Sequence, residues 1–288
     1  MGCIMYPSYA KLNLFLHITG QRDDGYHALQ TWFQFINLKD ILTFAWEPSQ
    51  NMEISVTSTT QITTMADDNL IVRAAKALWP YAKQSYSLQV LVDKNIPMGA
   101  GLGGGSSNAA TTLIALNELY QCYLSWQQLK EIGQQLGADV PIFIHQKAAW
   151  AEGLGEIFID KSYLSQWALV VKPPVHVETK SLFNSDQLKR NCPVWSNETV
   201  KDLTGLTNVF LPTVLDTHPV MKDYLTYLQT FSDQWRLTGT GACFFLLSDP
   251  QQYLQKIQKK INKSVDSWLV KTINLAPVKA ISRNDTGL

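Results

Sequence analysis

Residues 97–110 read PMGAGLGGGSSNAA, with glycine at 99, 101, 103, 104 and 105 and two serines, Ser106 and Ser107, opening a helical pattern. Glycine tolerates positive φ and has no Cβ, so successive backbone N–H groups in such a loop can converge on an anion. A helix that follows adds its free first-turn donors and the positive end of its dipole. The combination suits a polyphosphate cradle, with the serines placed to serve as an N-cap, a phosphate contact or a Mg²⁺ ligand. Glycine content alone fits a flexible linker or a tight turn as well. The lysine that a Walker-type loop carries beside its Ser or Thr is absent. A dinucleotide fingerprint is also disfavoured, because no acidic residue follows at a second strand end about 20 residues on.

A cation and a base must then come from elsewhere. From Lys11 to Ile18 the chain alternates, with Leu12, Leu14, Leu16 and Ile18 on one face and Lys11, Asn13, Phe15 and His17 on the other. The period of two reads as a half-buried strand, which sets Lys11 and Asn13 roughly 6 to 7 Å apart on one side. In GADVPIFIHQ, Asp139 sits in a tight connection before an apolar run. By residue type alone, Asp139 reads first as a turn or capping residue and Lys11 as a solvated strand residue.

These residues need elements to hold them. A strand-like run covers 29–46 with a break near 37–40, and Asp67 or Asp68 caps a helix running to Lys83. A strand from Leu88 to Val92 leads through Lys94 and Pro97 into the glycine loop, which opens a helix. The next helix has Ser125 as N-cap, Gln128 as its capping-box partner and Gly137 as its stop. Strands follow at 148–159 and 167–171. Beyond a looser stretch at about 184–205 the pattern is helix 219–231, strand 235–238, the turn TGTGA, strand 243–247, helix 249–262 and strand 267–274. That alternation predicts helices packed against a sheet, an α+β arrangement.

With 288 residues, 45% of them hydrophobic, the chain can bury two cores. Lys plus Arg and Asp plus Glu each total 24, which removes the electrostatic case for nucleic acid or a membrane surface as partner. No apolar run reaches the length of about 20 residues that spans a membrane. Four scattered cysteines suit reduced thiols in a cytoplasmic protein.

Taken together, PSYAKLNLFLHITGQRDDGYH, the glycine loop, LGADVPIFI and LTGTGACFF stand in the order found in the GHMP kinases, and the chain resembles that family. The first and third blocks resemble its members that act on a cytidine diphosphate-linked methylerythritol in the non-mevalonate route to isoprenoids. The resemblance implies an S5-like N-terminal domain, here 1–155, and a ferredoxin-like C-terminal domain, 156–288, with the active site in the cleft between them. It implies an ATP-dependent kinase for a hydroxyl of that small molecule, using ATP with Mg²⁺ carried by the nucleotide, as a cytoplasmic monomer or weak homodimer.

By the same resemblance Lys11 and Asp139 are catalytic, the aspartate taking the hydroxyl proton beside the lysine. The ATP site takes Asn69, Lys94 and the loop from Pro97, Met98, Gly99, Ala100, Gly101 and Leu102 through Gly103, Gly104, Gly105, Ser106 and Ser107. Tyr26 and Phe183 stack the base and His27 bonds its edge. Asn13 and Thr179 meet the sugar or diphosphate, and Gly239 and Thr240 bring a second glycine turn to the phosphates. No side-chain set is assigned as a metal site. Two rival readings remain: a family member acting on homoserine or mevalonate, and an S5-like nucleotide- or RNA-binding protein without catalysis.

Overall fold

Two long strands form the spine of the protein, described here from a computed structural model that covers residues 2–23, 25–60 and 68–282. Strand β1 (Gly2–Gln21) pairs antiparallel with β2 (His27–Pro48) along nearly its whole length. The break expected near 37–40 is instead a register shift: Tyr9 faces Lys39 but Ala10 faces Ile36, so β2 bulges outward and continues. A second shift lies between the Asn13–Phe33 and Leu16–Thr31 pairs. Bulges of this kind re-aim the neighbouring side chains.

The half-buried reading of β1 does not hold, because both faces are covered. Lys11 and Asn13 are each 2% exposed, as enclosed as Leu12 and Leu14 on the other side. A strand polar on one face and yet buried on both must satisfy every polar atom internally. For Lys11 and Asn13 the pairing with Thr31, Asp139 and Gly239 described below meets that demand.

Strand β3 (Glu53–Ser58) runs parallel to β4 (Tyr86–Asp93), and β4 pairs with the second half of β2. Helix α1 (Leu70–Leu78) connects them. Its cap is Asn69, whose side chain accepts from the Ile71 amide at 2.9 Å, rather than Asp68; Asp67 lies outside the described residues. The helix stops before Pro80 instead of reaching Lys83, with a single 3-10 turn in between. Helices α2 (Gly104–Leu119), α3 (Trp126–Leu136) and α4 (Val140–His145) complete this half. The capping box of Ser125 and Gln128 is formed as expected. The apolar run after Asp139 is a short helix, and the stretch 148–159 is a hairpin of β5 (Ala149–Glu152) and β6 (Ile157–Asp160) rather than one strand.

Strand β7 (Trp167–Lys172) begins the second half, followed by α5 (Thr179–Phe183), α6 (Phe210–Thr217) and α7 (Pro219–Gln229). Then come β8 (Arg236–Leu237), β9 (Phe244–Ser248), α8 (Gln251–Lys260) and β10 (Asp266–Ile273). Strand β10 lies between β7 and β2, so a single ten-stranded sheet runs through the molecule: seven strands in the order β3-β4-β2-β10-β7-β9-β8, with β1 and the β5–β6 hairpin also paired to β2. One core fills around Phe44, Leu88, Leu113 and Phe143, another around Phe210, Val214, Leu237 and Leu254. A third, with Leu12, Phe15, Trp32, Leu102, Trp150 and Phe245, joins them beneath the glycine loop. Among the described residues no helix is long and apolar enough to cross a membrane.

Candidate active site

The glycine loop is fixed by what lies behind it. Gly101 has φ +72, and a Cβ there would fall 2.3 Å from the carbonyl oxygen of Thr238. Gly239 has φ +56, and a Cβ on it would meet the Gly101 oxygen at 2.9 Å. The two glycine turns therefore pack backbone to backbone, a contact closer than any residue with a side chain permits. Gly103, at φ +72, lies against Phe143 and the Lys11 stem.

Gly103 is also the N-cap of α2, in the left-handed region, so neither serine caps the helix. The first turn leaves the N–H groups of Gly104, Gly105 and Ser106 without intrahelical acceptors, at the positive end of the dipole. Ser106 faces the open side. Ser107 does not: its amide donates to the Gly103 carbonyl at 2.8 Å and its Oγ accepts from Ser8 at 2.7 Å. This leaves Ser107 a structural partner of β1 rather than a lining residue.

A cavity of about 400 Å³ lies over the loop, lined by Asn69, Lys94, Met98, Gly103, Ser106 and neighbouring loop residues. A second, of about 320 Å³, is lined by Lys11, Asn13, Asp139, Thr179, Phe183 and Gly239–Gly241 among others. Gly99, Gly101 and Ser106 line both, so the two cavities meet at the loop. A larger hollow of about 590 Å³, between residues 203–208 and 233–237, contains none of the expected site residues.

Lys11 lines the second cavity, its stem beside Gly103 of the first. Its Nζ donates to Asn13 Oδ1 at 2.6 Å and lies 3.1 Å from Asp139 Oδ2. Its stem passes the Phe33 ring, 5.5 Å from Nζ to centroid. Asn13 is itself fixed, donating through Nδ2 to Thr31 Oγ1 at 2.9 Å and accepting at Oδ1 from the Gly239 amide at 3.1 Å. Asp139 precedes α4 without using its side chain as a cap, so the carboxylate is left for Lys11 and for whatever enters the cavity.

Lys94 contributes less directly. Its ammonium is paired with Asp40, a fully buried carboxylate that also accepts from the amides of Asn95 and Ile96, each at 2.8 Å, and from Asn108 Nδ2 at 2.9 Å. Asp40 thus ties the approach to the glycine loop to α2. Sequence reading passed over Asp40, which looked like part of a strand break.

On the far side, Thr179 and Thr240 share a hydrogen bond of 2.8 Å at the cavity edge. The rings of His27 and Phe183 meet at 5.4 Å with 39° between planes. His27 Nε2 accepts from Arg190 Nε at 3.0 Å, a partner that no motif indicated. Burial first, and the Arg190 charge second, push the His27 imidazole below its ordinary value. Neither Tyr26, 63% exposed, nor His27 lines either cavity, so of the expected base-contacting residues only Phe183 does.

A glycine-rich loop between strand and helix, with a buried lysine and a carboxylate beside it, fits a phosphotransferase of the GHMP type. Residues 69–147 match the family described as the GHMP kinases N terminal domain. The chain is 46% identical over 270 residues to the 4-diphosphocytidyl-2-C-methyl-D-erythritol kinase of Francisella tularensis subsp. tularensis, covering 93% of this chain and 96% of that one. The crystal structure of a 4-(cytidine 5'-diphospho)-2C-methyl-D-erythritol kinase superposes with a TM-score of 0.79 at 27% identity, over 93% of this chain and 99% of that one. The mevalonate kinase of Methanococcus jannaschii shares the fold, with a TM-score of 0.62 at 15% identity over 95% of this chain and 99% of its own. The chain belongs to the 4-diphosphocytidyl-2-C-methyl-D-erythritol kinases.

Proposed function

We propose that this enzyme transfers the γ-phosphoryl group of ATP to the 2-hydroxyl of 4-diphosphocytidyl-2-C-methyl-D-erythritol, giving the 2-phosphate and ADP. The observation that carries the reading is the Lys11–Asp139 pair, 3.1 Å apart in the cavity that adjoins the glycine loop. In this reading residues 1–155 supply the nucleotide side, and residues 156–288 close the acceptor side through Thr179, Phe183 and the Gly239–Thr240 turn. Charged, water-soluble reactants suit a cytoplasmic enzyme acting as a monomer or weak homodimer.

ATP lies with its adenosine towards Asn69 and Lys94 and its phosphates on the amides of Gly104, Gly105 and Ser106, where backbone donors and dipole favour negative charge. The acceptor hydroxyl rests on Asp139, which takes its proton as the O–P bond forms and returns it to solvent after ADP is formed. A carboxylate is a weak base towards an alcohol, so the transfer is late and positioning contributes most of the rate. Lys11 spends one N–H donor on Asn13 and one on Asp139, leaving a third for an oxygen of the transferring phosphoryl group, where charge grows in the transition state. Asn13, held by Thr31 and Gly239, aims that lysine.

When bound, Mg²⁺ neutralises charge on the transferring phosphates. The Ser106 hydroxyl and the Asp139 carboxylate are hard oxygen donors of the type this ion accepts, and both line the acceptor cavity. Among the described residues no cluster of three His, Cys, Asp or Glu accompanies them.

The base sits against Phe183, next to His27, with Tyr26 supplying a second aromatic face from the loop that enters β2. Stacking of this kind contributes roughly 1 to 3 kcal/mol per base. Competing substrates test the whole reading. Turnover of the cytidyl compound with no detectable turnover of mevalonate or homoserine is expected, and the reverse preference would refute it.

A further inference from the structure

One guanidinium organises the aromatic pair beside the acceptor cavity, of which Phe183 lines the cavity and His27 lies behind it. Arg190 donates from Nη2 to the carbonyls of Phe183 and Ser185, at 2.9 and 3.0 Å, and from Nη1 to that of Leu188 at 3.2 Å. Its Nε–H donates to His27 Nε2 at 3.0 Å. The same group therefore holds the backbone that presents Phe183 and the ring that lies against it.

The bond to His27 has a chemical consequence. A guanidinium has donors only, so the nitrogen it meets must offer a lone pair. His27 Nε2 is then unprotonated, and in a neutral ring the proton must sit on Nδ1. We infer that Arg190 is a positioning residue for substrate choice: it locks His27 as the Nδ1–H tautomer, so that this edge presents a donor and selects cytosine over uracil. Cytosine offers a lone pair at N3, which such a donor satisfies. Uracil carries a hydrogen at N3, and two donors facing each other leave both unpaired, the kind of mismatch by which polar sites reject close analogues. The depressed imidazole basicity of His27 agrees with a ring kept neutral.

This inference rests on the placement of the base against Phe183 and His27 proposed above, and the test separates the two. Nitrogen-15 NMR of histidine-labelled enzyme at about pH 7.5, with His27→Ala used for assignment, reads the tautomer directly. A protonated Nδ1 and a bare Nε2 are expected; an Nε2–H ring, or one averaging between tautomers, would overturn the lock. Steady-state kinetics then compare the cytidyl substrate with its uridyl counterpart. The wild-type enzyme should favour the cytidyl form by at least about 50-fold in kcat/KM. Arg190→Met should shrink that ratio below about fivefold and raise the cytidyl KM at least about tenfold, with KM for ATP within about threefold. Mere loosening of the segment would raise both pyrimidine KM values alike, and an unchanged ratio would therefore overturn the inference. In His27→Ala an unchanged cytidyl KM would remove the base placement itself, whatever the spectrum reports about the tautomer.

Discussion

Lys11 and Asp139 meet with 3.1 Å between Nζ and Oδ2, the lysine side chain 2% exposed and the carboxylate 37%. The asymmetry is informative. The cation is enclosed and aimed by Asn13, while the acid opens on the cavity and can meet an incoming hydroxyl. Neither is held by a local motif: one leaves the middle of β1, the other precedes α4, and the glycine loop lies between them in sequence.

The contact of the two glycine turns predicts a sharp contrast between neighbouring substitutions. Gly101→Ala puts a Cβ within 2.3 Å of the Thr238 carbonyl at a positive φ. It should destabilise the fold by at least about 2 kcal/mol, through strain and displacement of the partner turn. At Gly105 a Cβ meets only Leu70 Cδ1 at 3.5 Å. Gly105→Ala, in the first turn of a helix, should stay within about 1 kcal/mol of wild type. Urea unfolding of both variants checks the pair, and equal losses would contradict the docking.

Asp40 should behave as a buried anchor. Asp40→Ala strands the Lys94 ammonium in the interior and leaves the amides of Asn95 and Ile96 unpaired. Removing one partner of a buried ion pair costs about 3 to 5 kcal/mol. The same unfolding experiment should find a loss in that range, and one below about 1 kcal/mol would show that Asp40 does not hold the loop.

Acid should weaken binding of the cytidyl substrate selectively. His27 has its folded value depressed, by burial first and Arg190 second, from an ordinary 6.5. The neutral ring is then the native form, so its contribution is complete above the unfolded value and is lost as the pH falls through the lower folded value. Protonation also places a hydrogen on the atom that accepts from Arg190. Initial-rate measurements should find the cytidyl KM rising as the pH drops below about 6.5, more steeply than KM for ATP. A cytidyl KM that stays flat down to about pH 5 would contradict this.

Much of the architecture was legible in local patterns. Ser125 and Gln128 announced α3, and the alternation from Lys11 announced β1. Where reading failed, the cause was tertiary. The polar face of β1 looked solvated because nothing nearby in sequence declares that Thr31, Phe33, Thr238 and Gly239 close over it. Helix α5 is five residues long, too short for a helical period to register, and α6 carries Pro212 within it. Asn69 rather than Asp68 caps α1 because its side chain reaches the Ile71 amide. The site residues that a motif contains, Lys11, Asn13, Asp139 and the loop, come together as expected. Asp40 and Arg190 act only through groups distant in sequence, so no spacing rule marks them.

The role of Asp139 as acceptor of the hydroxyl proton beside Lys11 is read from the steady-state rate of Asp139→Asn with saturating ATP and cytidyl substrate. The substitution keeps the shape and removes the base. A fall in kcat of at least about a hundredfold with ATP affinity near normal is the predicted result; a kcat within about threefold of wild type would contradict it.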